Sequence, residues 1–331
     1  MLAITDTLLV IISTPIYAVL MGLEWLLGFK HQRPSYRLKD TLNNLFLSML
    51  NGAIDLIFRV FYLGVLIWCF QNKLFSPAQS VAYWLSLLIL EDIAFYWLHR
   101  FDHQLRLFWA VHVTHHSSEE FNLSVGFRSS VLQPLYKFVY FMPLAWLGFR
   151  PEDILLVFSA TQIYGILLHT RHIGKLGWLE YVLATPSHHR VHHGSNVRYL
   201  DKNMGMVFII WDRLFGTFQE ELSSDLVKYG LTTPLNTDDP RHIIFHEWKA
   251  IWRDVSNAPN LKIAWQYLWA PPGWSHDGRS YTSKELRQLL ALAEQTGKVS
   301  SLGIEVSDVI RVGEAGNYLD ANQGKALVEK A

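Results

Sequence analysis

Apolar residues in this chain gather in long, nearly unbroken runs instead of the spaced stripes of water-soluble helices. The first run, residues 7–28, suits a spanning helix of roughly 20 residues. It lacks the basic start and small-residue cleavage site of a secretion signal, so a retained anchor is expected. A basic stretch holding Lys30, Arg33, Arg37 and Lys39 separates it from a second run, 45–70, interrupted by Asn51, Asp55 and Arg59. Asp55 and Arg59 stand four apart, where they can pair on a helix and lower the cost of charge in lipid. The turn QNKLFSPAQS leads to a third run, 81–98. Two shorter runs, 131–149 and 154–168, flank a turn at Arg150, Pro151 and Glu152, and either span as a hairpin or re-enter. Both alternatives return the chain to the side it left.

Later segments are more polar. Residues 203–218, NMGMVFIIWDRLFGTF, read as a monotopic or buried apolar element, helices are expected near 241–255 and 283–294, and the tail after Lys298 has no periodic signal. The expected architecture is an all-α integral membrane protein with about four to five membrane helices and a helical cap. Residues 1–40 form the anchor and basic loop, 41–220 the membrane and catalytic domain, and 221–331 a C-terminal cytosolic region. The loop after the first helix is rich in Lys and Arg, whereas the turns at Lys73 and Arg150 carry one each. That bias puts the N-terminus outside and the cap in the cytosol, in a bacterial inner membrane or endoplasmic reticulum.

Composition narrows the chemistry. Half of the 331 residues are apolar and the formal net charge is zero, so the basic excess that nucleic-acid binding needs is missing. The single cysteine, Cys69, permits neither an internal disulfide nor a thiolate metal site. Any metal must be held by nitrogen and oxygen.

The histidines supply the nitrogen. Eleven of the fifteen fall in two windows: His99, His103, His112, His115 and His116, then His169, His172, His188, His189, His192 and His193. On helices, His99 and His103 share a face, as do His112 with His115 and His116, and His189 with His192 and His193. These eight plus His169 exceed what one four- to six-coordinate ion can use, so two nearby ions are expected, although spacing does not name the metal. His172 and His188 are extra to the spacing and read as further ligands or as supporting groups. His31, His242, His246 and His276 read as non-ligands. Asp92, two helical turns before His99, is expected to back a ligand, and Asp201 and Asp212 are candidates for the same role or for local loop bonding. No Glu follows a paired histidine as in HExxH, which sets a zinc hydrolase aside.

The order HxxxH, HxxHH, a later histidine and a final HxxHH in an apolar chain resembles the fatty acid hydroxylase and sterol desaturase superfamily. HHSSEEFNLSVGFRSS at 115–130, TPSHHRVHHGSN at 185–196, LDKN at 200–203, IIWDRLFGTF at 209–218 and YGLTTPLNT at 229–237 resemble its ether-lipid branch. The likeness covers roughly residues 80–275. It implies two iron ions on the nine histidines, O2 as oxidant, a lipid taken from the bilayer, and an electron donor or reductase, with tetrahydrobiopterin serving in that branch. Two departures stand out: Gln104 occupies a position that is acidic in the branch, and the sequence ends soon after PPGW at 271–274, without further membrane helices. The expected activity is hydroxylation of a lipid C–H bond, with cleavage of an alkylglycerol ether to aldehyde and glycerol as one form. Alternatives are a sterol, fatty acyl or carotenoid hydroxylase or desaturase on the same centre, and, in a different class, a membrane metal transporter or sensor.

Overall fold

The first three apolar runs are helices in the computed structural model, which describes residues 2–32 and 35–296: α1 (Leu2–Lys30), α2 (Leu38–Gln71) and α3 (Val81–Gln104). Each contains a stretch long and apolar enough to cross a membrane. Ile11, Val19, Ile57 and Val60 point outward with no protein cover, the inverse of a water-soluble helix and the arrangement a lipid solvent favours. Asp55 and Arg59 do pair, at 3.4 Å, and Lys137 reaches Asp55 at 2.8 Å. The helix α2 starts earlier than the apolar run because Asp40 and Asn44, one turn apart, face an interior polar network.

The connection from α3 to α4 (Arg106–His116) is the single extended residue Leu105. Two short 3-10 turns, Leu123–Phe127 and Gln133–Leu135, precede α5 (Phe138–Trp146) and α6 (Pro151–Leu167). The α5–α6 turn lies at the end of the bundle remote from the histidines. There Leu74 N–H donates to the Trp146 carbonyl at 2.7 Å, and the Tyr83 hydroxyl donates to Asp153 at 2.7 Å. The hairpin thus runs the length of the bundle and back. Its apolar cover comes from Leu66, Cys69, Leu87, Leu144, Phe149 and Ile154, which pack α2, α3, α5 and α6 together.

The remaining helices are α7 (Pro186–His192), α8 (Ile210–Phe215), α9 (Pro240–Ser256), α10 (Leu261–Trp269) and α11 (Ser283–Thr296). The helices expected near 241–255 and 283–294 are α9 and α11. The run at 203–218 is helical only over the six residues of α8. The short α10 escaped the periodicity, though Asn260 caps it by accepting from Ile263 N–H at 3.0 Å. Residues after Lys298 lie outside the described part. Among the described residues no strand forms beyond two isolated bridges, Leu183 with Phe208 and Gly194 with Tyr229.

At the histidine end, buried polar groups join the elements. Arg128 donates to Asp40 at 3.2 Å, to Asn44 at 2.7 Å and to the Thr114 carbonyl at 2.9 Å, tying the start of α2 to the end of α4. Glu24 of α1 accepts from Leu123 N–H at 2.8 Å and from the Tyr36 and Thr170 hydroxyls. Arg106 donates to Glu247 and Asp254, each at 2.7 Å, holding α9 against α4.

Candidate metal centre

Helix ends deliver the histidines to one place. His99 and His103 occupy the last two turns of α3, His112, His115 and His116 the end of α4, His189 and His192 lie on α7, and His193 closes it. His169 follows α6 directly. Folding sorts these nine into two sets, His99, His103, His112, His116 and His192 in one and His115, His169, His189 and His193 in the other. Within each set the candidate nitrogens all lie within 4.8 Å of one another. The sets adjoin: His116 stacks on His193 with ring centres 4.5 Å apart. α4 and α7 each contribute to both sets, because adjacent residues on a helix point about 100° apart.

His172 and His188 stand outside both sets. His172 is exposed. His188 is buried, but its Nδ1 accepts from Thr185 N–H at 3.3 Å in the cap of α7, and its Nε2 lies 3.9 Å from Glu180. His242 and His246 stack on each other, and His276 Nδ1 bonds the Tyr267 hydroxyl at 2.7 Å, away from the sets.

The backing groups fix which nitrogen faces inward. His99 Nδ1 donates to the Met204 carbonyl at 2.8 Å, His115 Nδ1 to Arg128 at 2.9 Å, His169 Nδ1 to Gly165 at 2.9 Å and His192 Nδ1 to Lys202 at 2.9 Å. A carbonyl only accepts, so each of these Nδ1 atoms carries the proton and each Nε2 presents a lone pair. The Nε2 atoms of His103, His192 and His193 are buried and have no protein partner. Those of His99 and His116 approach His112 Nε2 to 3.0 and 3.2 Å. Inward lone pairs crowded to this degree repel one another unless cations share them. The donor set therefore fits two metal ions bound by imidazole.

A tight loop supplies several of the backing groups. Asp201 and Asn203 adopt left-handed backbone, φ 52° and 56°, which Asp and Asn tolerate better than most residues. The resulting turn aims Asp201 Oδ1 at His103 Nδ1, 3.3 Å away, while the next carbonyl, Lys202, receives His192. Asp212 accepts from Met204 N–H at 2.7 Å, Gly205 N–H at 2.8 Å and the Thr217 hydroxyl at 2.6 Å, so it steadies the carbonyl behind His99. Asp92 bonds no histidine. Its oxygens accept from Val207 N–H at 2.8 Å, Phe208 N–H at 3.0 Å and Trp211 Nε1 at 2.8 Å, pinning the same loop to α3.

Three supporting residues went unnoticed in the sequence. Asp102 lies 3.8 Å from His112 Nδ1 and is itself held by Gln133 at 2.8 Å and Tyr136 at 2.6 Å. Its signal was its position inside the first histidine box. Ser130 Oγ bonds His112 Nδ1 at 2.9 Å, and Arg128 presents its carbonyl to His115. Both lie in the HHSSEEFNLSVGFRSS stretch, whose polar residues had no assigned role. Phe121 from that stretch stacks on Tyr229 with centres 4.7 Å apart and also on His169 at 5.5 Å.

Burial keeps the imidazoles neutral. It lowers His115 to about 4 and His169 to about 3, and pushes His112, His116, His189, His192 and His193 well below the usual histidine range, with neighbouring histidines adding to the effect. Neutral imidazole is the form that binds metal. A cavity of about 820 Å³ with a mixed polar and apolar lining reaches His103, His116, His192 and His193 from the side of α9–α11, passing Arg106, Glu247 and Tyr267.

Fold and site together define a helical membrane protein with a polyhistidine metal centre. Residues 84–217 match the fatty acid hydroxylase family model. The chain is 39% identical over 269 residues to an alkylglycerol monooxygenase of Homo sapiens, covering 79% of this chain and 59% of that protein. It is 36% identical over 266 residues to an alkylglycerol monooxygenase of Danio rerio, covering 80% and 59%. A Delta(7)-sterol 5(6)-desaturase of Gibberella zeae is 27% identical over 178 residues, covering 50% and 51%. The chain thus spans about three fifths of the length of the first two relatives. No solved structure matches it.

Proposed function

We propose that the chain is a membrane-bound oxygenase that hydroxylates a lipid C–H bond with O2, and that its substrate is an alkylglycerol ether. The observation that carries this reading is the pair of adjoining imidazole sets with lone pairs facing inward. The nine histidines would hold two iron ions, which when bound supply O2 activation and attack on an unactivated C–H bond. Hydroxylation beside the ether oxygen gives a hemiacetal, which collapses to a fatty aldehyde and glycerol.

The chain's own residues contribute orientation and exclusion of water. Asp201 and the carbonyls of Met204, Arg128, Gly165 and Lys202 hold the imidazole rings; Asp212 and Asp92 hold the loop that presents the Met204 carbonyl. The cavity that opens from the side of α9–α11 is the approach to the histidines available to substrate or electron donor. Tetrahydrobiopterin, implied by the resemblance to the ether-lipid branch, is the donor proposed. The N-terminus is placed outside and the metal centre on the cytosolic side, on the strength of the basic residues around 30–39.

The sterol desaturase relative supports a second reading, the same centre acting on a sterol or an acyl chain. A metal transporter is disfavoured because both imidazole sets lie at one end of the bundle, whereas a conducting path distributes its ligands through the membrane depth. The test is to incubate membranes containing the chain with alkylglycerol, sterol and acyl lipids under isotopically labelled O2. Fatty aldehyde from alkylglycerol is the expected product; a labelled sterol or acyl alcohol, or an unlabelled sterol or acyl product with a new double bond, moves the assignment to the second reading, and no change in any of the three lipids overturns both.

A further inference from the structure

The hydroxylase reading leaves one surface without a role. The segment after His169 and the short helix α8 lie side by side. Ala184 N–H donates to the Val207 carbonyl at 2.8 Å, Ile209 N–H to the Val182 carbonyl at 3.1 Å, and Arg213 sits over the Tyr181 ring at 5.5 Å. Together they expose Trp178 (74%), Tyr181 (69%) and Leu214 (67%), with Ile210 one turn before Leu214 on the same face of α8. An apolar surface of this kind marks a contact with a partner or a membrane.

The attachment of this surface to α3 fixes its level. Val207, Phe208 and Trp211 are bonded to Asp92, seven residues before His99, which at 1.5 Å per residue is about 10 Å further along α3 from the histidine end. Phe215 at the other end of α8 packs on Tyr96 and Trp97, and its carbonyl accepts from Arg100 at 3.4 Å. The helix therefore lies beside α3 between the levels of Asp92 and Arg100, within the apolar stretch of a helix able to cross a membrane. Backbone groups at such a level need protein partners, because lipid supplies none. Asp92 and the Leu183–Phe208 bridge provide them. Tyr and Trp near the rim, with Arg213 and Arg100 at the histidine-side end, have the composition of a membrane–water boundary.

We infer that residues 173–183 and α8 form a monotopic insert seated in the bilayer leaflet on the histidine side, with Trp178, Tyr181, Ile210 and Leu214 in contact with lipid. The occupant of this surface is the bilayer, because the surface begins within one turn of Ile89, which with Leu85 and Val81 forms the outward-facing apolar exterior of α3. Five residues, from Phe208 back to Met204, join it to the carbonyl behind His99.

The inference is tested with nitroxide labels on Leu214→Cys and, separately, Tyr181→Cys, in the full chain in phosphatidylcholine–phosphatidylglycerol liposomes. A Cys69→Ala background removes the native thiol, and Arg241→Cys on the exposed start of α9 reports an aqueous position. Unchanged metal content per chain establishes that each variant is folded. At positions 214 and 181 O2 should relax the label more than a water-soluble nickel chelate does, with the order reversed at position 241. Stronger relaxation by nickel at both insert positions overturns the inference. So does protection from both reagents, which would assign the surface to a second copy or another protein.

Discussion

Six of the nine candidate ligands, His99, His103, His112, His115, His169 and His192, have a partner outside the imidazole sets that holds the ring at its Nδ1. Replacing His115 or His192 with Ala should lower bound metal and abolish oxygenation, whereas His276→Ala, which loses only a bond to Tyr267, should do neither. Metal content per purified chain decides this, and full occupancy in His115→Ala would remove that residue from the ligand set. Asp201→Ala leaves His103 in place without its carboxylate partner and should weaken metal affinity roughly 10–100-fold, measured by competition with a chelator. Burial of the imidazoles gives a sign for pH. His115 and His169 fall from the usual 6.5 to about 4 and about 3 on folding, so below 6.5 the unfolded chain takes up protons that the fold refuses. The stability these groups confer on the metal-free protein is complete above pH 6.5 and declines as pH falls towards 3. Thermal midpoints recorded in detergent should be flat above pH 7 and drop between pH 6.5 and 4; a flat profile throughout would contradict it.

At the scale of the element, the loop between α7 and α8 is held from two sides. Asp92→Ala would leave three donors unmet, at a cost of about 1–3 kcal/mol each, and should lower the unfolding temperature before it changes metal content. Gly205→Ala should do both, since a Cβ there would meet the Phe208 carbonyl oxygen at 2.4 Å and Asp212 Oδ2 at 3.0 Å. Unfolding scans of the two variants beside their metal content separate a support of the loop from a support of the ligand. Similarly, Arg128→Ala strands Asp40 as a buried unpaired charge at a cost of about 3–5 kcal/mol. Sequence reading found the elements with long apolar runs and those with helical spacing. It missed α10, whose nine residues are too few for a clear period. It also gave no role to Arg128 or Ser130, because their partners on α2 and α4 are distant along the chain.

For the whole molecule, the ends of the helices indicate which parts share a side. The start of α2, the end of α3 and the histidines lie together, while the tip of the α5–α6 hairpin lies at the far end with the α2–α3 turn. With α1, α2 and α3 all spanning, a tag before α1 should resist protease added to the histidine side and be cut from the opposite side. Ready cleavage on the histidine side would reverse the proposed topology.

Local patterns are visible in a linear sequence, and they determined much here. Run length gave the membrane helices, three- and four-residue spacing gave the histidine boxes, and the absence of usable thiols left imidazole as the donor. The partition of nine histidines into sets of five and four was decided only by tertiary structure, because α4 and α7 present neighbouring residues to different sets and two other segments, α3 and the end of α6, complete them. Likewise the placement of Asp92 against Val207, Phe208 and Trp211 depends on a contact across more than a hundred residues, and helical periodicity along α3 carries no information about what packs beside it.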